Sequence, residues 1–251
     1  MLKRAAQEDA PADHACLTPT EIAKLAAAAD PDWRAAILVL AYGGLRLGEL
    51  LGLQWGDVEL DASRILVRRQ LEAVTGELRA PKTRAGTRFV ELISLVTREL
   101  KAWKLRCPKG EHDLCFPDSK GRPMDDRNFR TRAFYPALRR AKLRRIRVHD
   151  LRHTAASLMI ATGADLAAIS RQLGHANTQI TLSTYTHFFA RRSESGLGAK
   201  LEAMVQKELG CVLVVPTPEQ GHPDMQVIDL MVAGGGIEPP TRGFSIRCST
   251  N

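Results

Sequence analysis

The chain has 251 residues, enough for one large domain or two small ones, and a hydrophobic fraction of 44% that supplies an ordinary globular core. Its formal net charge of +8 favours a polyanionic partner, nucleic acid before membrane. Five scattered cysteines, a polar and charged stretch from Met1 to Asp13, and apolar runs too short for a bilayer exclude a secreted disulfide scaffold and a spanning protein, and favour a cytosolic setting.

Residues 1–16 read as a linker. Thr18-Pro19-Thr20-Glu21 is a capping box with Pro at the first helical position, which starts a helix running through Ala29. Asp30-Pro31-Asp32 starts a second helix, carrying Ala35, Ile37, Leu38, Leu40 and Ala41 into Gly43-Gly44. The run Leu45 to Leu53 is apolar on every side except at Arg46 and Glu49. Three apart, these two charges can form a structural ion pair, or Glu49 can orient Arg46 for a ligand.

From Arg64 to Leu92 the periodicity turns to strands: Arg64 to Arg68, Glu77 to Lys82 and Thr87 to Leu92, with a turn at Thr75-Gly76. They are expected to form a small three-stranded antiparallel sheet with Glu77 to Lys82 in the middle. Leu95 to Arg106 is an amphipathic helix turning Leu95, Leu100 and Trp103 inward. Cys107, His112 and Cys115 have a zinc-like spacing without an evident fourth ligand, so Cys115-Phe116-Pro117 reads as a short buried strand and no metal site is assigned. Asp126 to Lys142 is a helix, followed by a basic knot of Arg139, Arg140, Lys142, Arg144, Arg145 and Arg147, expected to contact phosphates.

That knot leads into the stretch that organises the chain. His149-Asp150-Leu151-Arg152-His153-Thr154 opens a helix with His149 and Arg152 on one face, and Leu158, Met159, Ala161, Leu166, Ile169 and Leu173 supply the expected buried stripe. Gly163-Ala164-Asp165 breaks the run, Gly174 ends the next helix and presents His175, and a further helix carries Tyr185. Arg grips phosphate with a planar fork, His exchanges protons near neutrality, and an activated Tyr is a nucleophile. Singly, each reads as structural. Their joint spacing reverses that.

The sequence from about Leu17 to Arg192 resembles the tyrosine recombinases, the phage integrase family. His149-x-x-Arg152 is similar to its His-x-x-Arg box, Leu173-Gly174-His175 to its second box, Gly44-Leu45-Arg46-Leu47-Gly48-Glu49-Leu50 to its first arginine box, and Tyr185 stands at the nucleophile's place. The resemblance implies a mostly helical α+β catalytic domain over residues 17–209, with a small three-stranded antiparallel sheet, and a site-specific DNA recombinase active without cofactor or metal. It makes Tyr185 the nucleophile on a scissile phosphate of double-stranded DNA attachment sites, and Arg46 and Arg152 the grips on its non-bridging oxygens. It also makes His149 the general base, Lys82 on the hairpin the general acid for the leaving 5′-oxygen, and His175 a hydrogen-bond donor to phosphate. Glu49 and His153 are supporting residues. A homotetramer on DNA is implied, in the bacterial cytoplasm.

Two other readings share these residues: a DNA-binding remnant lacking the family's N-terminal clamp, since Met1 falls within what resembles the interdomain linker, and a type IB topoisomerase-like nicking-closing enzyme. After Tyr185, Ser193 to Leu209 is expected to form a helix that docks on a neighbouring protomer, and residues 210–251 a poorly ordered tail. Within that tail, codons for Gly236-Ile237-Glu238-Pro239 permit an antisense transfer-RNA T-loop, so Gly234 to Asn251 reads either as antisense transfer-RNA sequence translated by accident of position or as an ordinary disordered tail whose codons merely permit the match.

Overall fold

The computed structural model describes residues 16–193 apart from Lys82. The expected linker before Cys16, the helix beyond Ser193 and the tail, with its transfer-RNA reading, therefore lie outside the described residues.

The first helix, α1 (Pro19–Ala28), starts where its capping box places it. The Glu21 N–H donates to Thr18 Oγ1 at 3.2 Å, and the Thr18 N–H donates to Glu21 Oε2 at 2.8 Å. Ile22 and Leu25 bury its inner face. Next, α2 (Pro31–Leu38) runs into a π turn over Val39–Gly43. Every residue from Ala35 to Ala41 is buried, so this stretch is a central rod of the core, while polar Asp32 and Arg34 lie in the first turn. It stops at Gly44, whose φ of +70° suits a residue without Cβ; a Cβ there would also lie 2.8 Å from Leu173 Cδ2. A five-residue helix, α3 (Leu47–Leu51), follows.

The strands depart from expectation. A three-stranded antiparallel sheet is present, but its middle strand is β2 (Arg64–Val67), flanked by β1 (Val58–Glu59) and by β5 (Arg88–Glu91). The segment assigned to the middle contributes β4 (Leu78–Arg79), which pairs with β3 (Gln70–Leu71) in a separate two-stranded ribbon. The cause lies between β2 and β3, where Arg68 and Arg69 both pair with the buried carboxylate of Asp57 and turn the chain out of the sheet. In the three-stranded sheet Ile65 lies opposite Val90 and Val67 opposite Arg88, so the period of two turns Val90 and Arg88 to the same, buried side.

Helix α4 (Ser94–Lys104) buries Val96, Leu100 and Trp103. The Trp103 Nε1–H donates to the Cys115 carbonyl at 2.6 Å, which fixes the buried segment Leu114 to Phe116 beneath it. The expected helix from Asp126 is a continuous rod of α5 (Asp126–Asn128), a π turn (Phe129–Phe134) and α6 (Tyr135–Arg140). Pro136 cannot donate to the preceding turn, and the looser π turn lies immediately upstream of it.

The C-terminal part holds α7 (Asp150–Thr162), α8 (Leu166–Leu173) and α9 (Thr178–Ser193). Gly163 (φ +91°) and Gly174 (φ +70°) end the first two, and the Asp165 carboxylate caps α8 by accepting from the Ala167 and Ala168 N–H groups. The buried stripe of α7 differs from the expected one. Leu151, Thr154, Ala155 and Ile160 point inward, Leu158 and Met159 are half-buried, and Ala161 is exposed. The helix is rotated so that Arg152 and Asp150 also face the interior, against the π turn of α2. Among the described residues no helix is long and apolar enough to cross a membrane.

Candidate active site

Arg46 precedes α3 in extended backbone (φ −72°, ψ 151°), so its own N–H is outside the helix and donates to Glu49 Oε2 at 3.0 Å. Its guanidinium donates through Nη1 to Glu49 Oε1 at 2.8 Å, while the side chain stays 41% exposed. Glu49 is only 2% exposed and takes a second cation: Arg88 donates through Nη1 to Oε1 at 3.2 Å and through Nη2 to Oε2 at 2.9 Å. Burial pulls the Glu49 pKa upward, but the hydrogen bonds and charge of Arg88, then of Arg46, outweigh it and hold the carboxyl below its usual range. The ion pair and the oriented arginine are thus one arrangement. Glu49 grips the inner edge of Arg46, and the outer edge faces outward.

Arg152 comes from the first turn of α7 and is 3% exposed. Its Nη1 donates to the Gly44 carbonyl at 2.6 Å, two residues from Arg46. Its Nη2 is buried without an acceptor among the described residues. Leaving a buried donor unpaired costs about 1–3 kcal/mol, more when it is charged. Burial and the charge of Arg46 push the Arg152 pKa down to about 10, so it stays cationic at neutral pH. A buried cationic donor lacking an acceptor suits an anionic oxygen.

The histidines are arranged around this cation. His175 follows Gly174, whose carbonyl lies 3.5 Å from Arg46 Nη2, and its Nδ1 is 2.7 Å from the hydroxyl of the buried Thr181. Burial, then Arg152, Arg46 and Arg88, push the His175 pKa down to about 4. His149 keeps an exposed edge, but the protein mass around its ring, with His153 and Arg152, likewise pushes it down to about 4. Both are neutral at pH 7, the form that holds one N–H donor and one acceptor.

Tyr185 sits where α9 departs from helical geometry (φ −118°, ψ 17°), with its ring 2% exposed beside Ile160, Ile169 and Leu173. Its hydroxyl is 2.9 Å from Nδ1 of His153, the residue read from sequence as a support, rather than paired with His149. The His149 and His153 rings meet edge-on at 5.0 Å between centroids. Burial raises the Tyr185 pKa to about 12, so the hydroxyl holds its proton at neutral pH and needs a base to react.

Two groups of contacts, Arg46 with Glu49 and the Gly174 carbonyl before His175, and His149 with His153 and Tyr185, thus accompany Arg152, whose charge acts on His149, His175 and Tyr185. Lys82 lies outside the described residues. Half of the basic knot has protein partners: Arg140 meets the Ala28 carbonyl and Asp30, Arg144 meets Glu21 and the Cys16 carbonyl, and Arg147 meets Asp150. Arg145 lies over the Tyr135 ring at 5.1 Å, and Arg139 and Lys142 are exposed. The Cys107 thiol approaches the Leu114 and Cys115 carbonyls at 3.6 and 3.5 Å.

Two residues escaped the sequence reading. Arg88 carried a signal, since it alternates with Val90 and Leu92 on the inward side of a strand. Thr181 carried none. Gly174 ends α8 and has a second constraint: a Cβ there would lie 2.7 Å from Arg88 Nη1 and 2.8 Å from its Cζ. Gly174→Ala is expected to destabilise the chain by about 1–2 kcal/mol from the left-handed backbone alone, with the Arg88 clash added. Equilibrium denaturation measures it, and an unchanged midpoint would contradict the packing.

The sequence model of the phage integrase family matches residues 15–192. A tyrosine recombinase XerC-like protein of Caldanaerobacter subterraneus is 29% identical over 186 residues, covering 64% of this chain and 47% of that protein. Tyrosine recombinase XerC of Xylella fastidiosa is 33% identical over 153 residues, covering 61% and 47%. The crystal structure of XerA recombinase superposes with a TM-score of 0.58 at 26% identity, covering 82% of this chain and 65% of that one. The Tn1549 transposon integrase, solved in complex with circular intermediate DNA, shares the fold with a TM-score of 0.65 at 22% identity, covering 80% and 68%. The chain spans about half the length of the curated relatives it matches. With its helical α+β fold and the arginine, histidine and tyrosine boxes drawn together around one buried cation, the chain belongs to the phage integrase family.

Proposed function

We propose that this chain is the catalytic part, residues 17–209, of a site-specific DNA recombinase that breaks and rejoins strands through a 3′-phosphotyrosyl link. The observation that carries the reading is the buried Arg152 Nη2, cationic and without an acceptor among the described residues, on the same turn of α7 as the His153 that meets the buried Tyr185 hydroxyl. Arg46 and Arg152 hold the two non-bridging oxygens of the scissile phosphate and stabilise charge developing there. Neutral His175 donates a hydrogen bond to the same phosphate, and neutral His149 stands beside it. The Tyr185 oxygen bonds to phosphorus as the P–O5′ bond breaks, Lys82 protonates the leaving 5′-oxygen, and a 5′-hydroxyl from a second strand reverses the steps. The phosphodiester energy stays in the covalent link, so the exchange needs no nucleotide.

The partners are double-stranded DNA attachment sites, bound by a homotetramer in the bacterial cytoplasm. The net charge of +8 and the recombinase and integrase names of the relatives support this over a nicking-closing enzyme or an inert remnant. Arg139 and Lys142, exposed on the basic knot, are the first candidates for flanking phosphates. Incubation with DNA nicked beside the cleavage point, which traps the covalent product by loss of a short strand, tests the function. No covalent product with any attachment-site DNA of the host element counts against it.

For the Tyr185 proton, the resemblance points to His149 and the 2.9 Å hydrogen bond points to His153. We assign it to His153 Nδ1. His153→Ala is then expected to slow cleavage about 10²–10⁴-fold, the usual worth of a general base, and to recover in part with added imidazole. His149→Ala should not recover. Imidazole rescue confined to His149→Ala returns the role to His149.

A further inference from the structure

We infer that Arg88 is a positioning residue for the proposed strand cleavage, holding Arg46 through Glu49 and the His175 turn through the Gln172 carbonyl; the inference rests on the function proposed above. Arg88 is 8% exposed, so it acts through its neighbours rather than on DNA. Its guanidinium reaches three elements at once. Nε donates to the Gln172 carbonyl at the end of α8 at 2.8 Å, Nη1 to the Gly86 carbonyl at 3.1 Å, and Nη1 and Nη2 to the two oxygens of Glu49. The same end of α8 is tied to β5 a second time. The Glu91 N–H donates to Gln172 Oε1 at 3.0 Å, and Gln172 Nε2 donates to the Glu91 carbonyl at 2.9 Å. Gly174 completes the seat, since any Cβ there would meet the Arg88 guanidinium.

The consequence for Arg46 follows from acceptor geometry. A carboxylate facing a single guanidinium takes it bidentately, by two parallel N–H donors. Glu49 does not do this to Arg46, because Arg88 already donates to both oxygens, leaving Arg46 held through Nη1 and its backbone N–H. Without Arg88, Glu49 is free to draw in both Nη groups of Arg46 and turn its outer edge away from the phosphate. The loop presenting His175 loses its tie to β5 at the Gln172 carbonyl in the same change.

The test compares cleavage of nicked trapping DNA carrying either a phosphodiester or an uncharged methylphosphonate at the scissile position. Arg88→Met keeps the length of the side chain and removes its donors. Misplacement of a reacting group by about 1 Å costs roughly 10²-fold, which is the loss expected on phosphodiester. On methylphosphonate, where less charge has to be met by Arg46, the ratio of unchanged chain to variant should shrink to a few-fold. Arg88→Lys keeps the charge but not the planar fork, and should show the same collapse from a smaller initial loss. It also serves if Arg88→Met melts below the assay temperature. Equal losses on both substrates, or folded variants that cleave phosphodiester like the unchanged chain, overturn the inference. Absence of covalent product from the unchanged chain overturns the proposed function itself, and the inference falls with it.

Discussion

Tyr185→Phe is expected to abolish covalent capture of nicked DNA while leaving DNA binding and thermal stability close to those of the unchanged chain. The substitution removes one oxygen from a ring packed among Ile160, Ile169 and Leu173, so the packing survives. It loses the hydrogen bond to His153, a change worth about 1 kcal/mol in a folded protein. The proposed reaction has no such tolerance, because the lost oxygen is the atom proposed to bond to phosphorus. The chain holds only two other tyrosines, Tyr42 and Tyr135. Tyr135 lies under Arg145 on α6, and burial raises the Tyr42 pKa. Denaturing gels after incubation with trapping DNA measure the outcome. Covalent product persisting in Tyr185→Phe would sink the assignment and send the search to those two residues.

The contrast between Tyr185 and its hydrogen-bond partner His153 shows which features a sequence carries. Local signals held up: the Thr18–Glu21 capping box closes at both halves, Gly163 and Gly174 adopt left-handed backbone where they were read as breaks, and Glu49 orients Arg46 from one turn away. Each is set within a few residues by steric or hydrogen-bonding rules. Features that depend on distant partners did not. The partner of β4 is decided by Arg68 and Arg69 folding onto Asp57, an interaction between charges with no alternation to reveal it. Which histidine meets the Tyr185 hydroxyl, His153 in the structure, depends on the rotation of α7, which buries Arg152 and Asp150 at the expense of Ala161. An apolar-stripe argument places polar residues outside, and here Arg152 and Asp150 lie inside. Arg88 was hidden by the same assumption.

Arg152→Met is expected to separate stability from activity most sharply. Three guanidiniums, of Arg46, Arg88 and Arg152, are grouped around one carboxylate, Glu49. The folded-state pKa of Arg152 is depressed from 12.5 to about 10, so folding disfavours its charged form, and at neutral pH that cost is carried in full. Methionine fills most of the same volume without the charge or the unpaired Nη2. The Gly44 carbonyl loses its donor, which offsets part of the gain. The melting temperature should therefore stay at or above that of the unchanged chain, as it does where a site holds strain for function. Cleavage should fall by about 10²–10³-fold or more, the typical cost of deleting a preorganised donor to a developing oxyanion. Arg152→Lys should not restore it, because a single ammonium cannot keep the bond to Gly44 and also present a second donor in the plane of the fork. A thermal melt paired with the trapping assay decides the matter: a large loss of stability with cleavage retained would place Arg152 in the architecture and remove it from the phosphate.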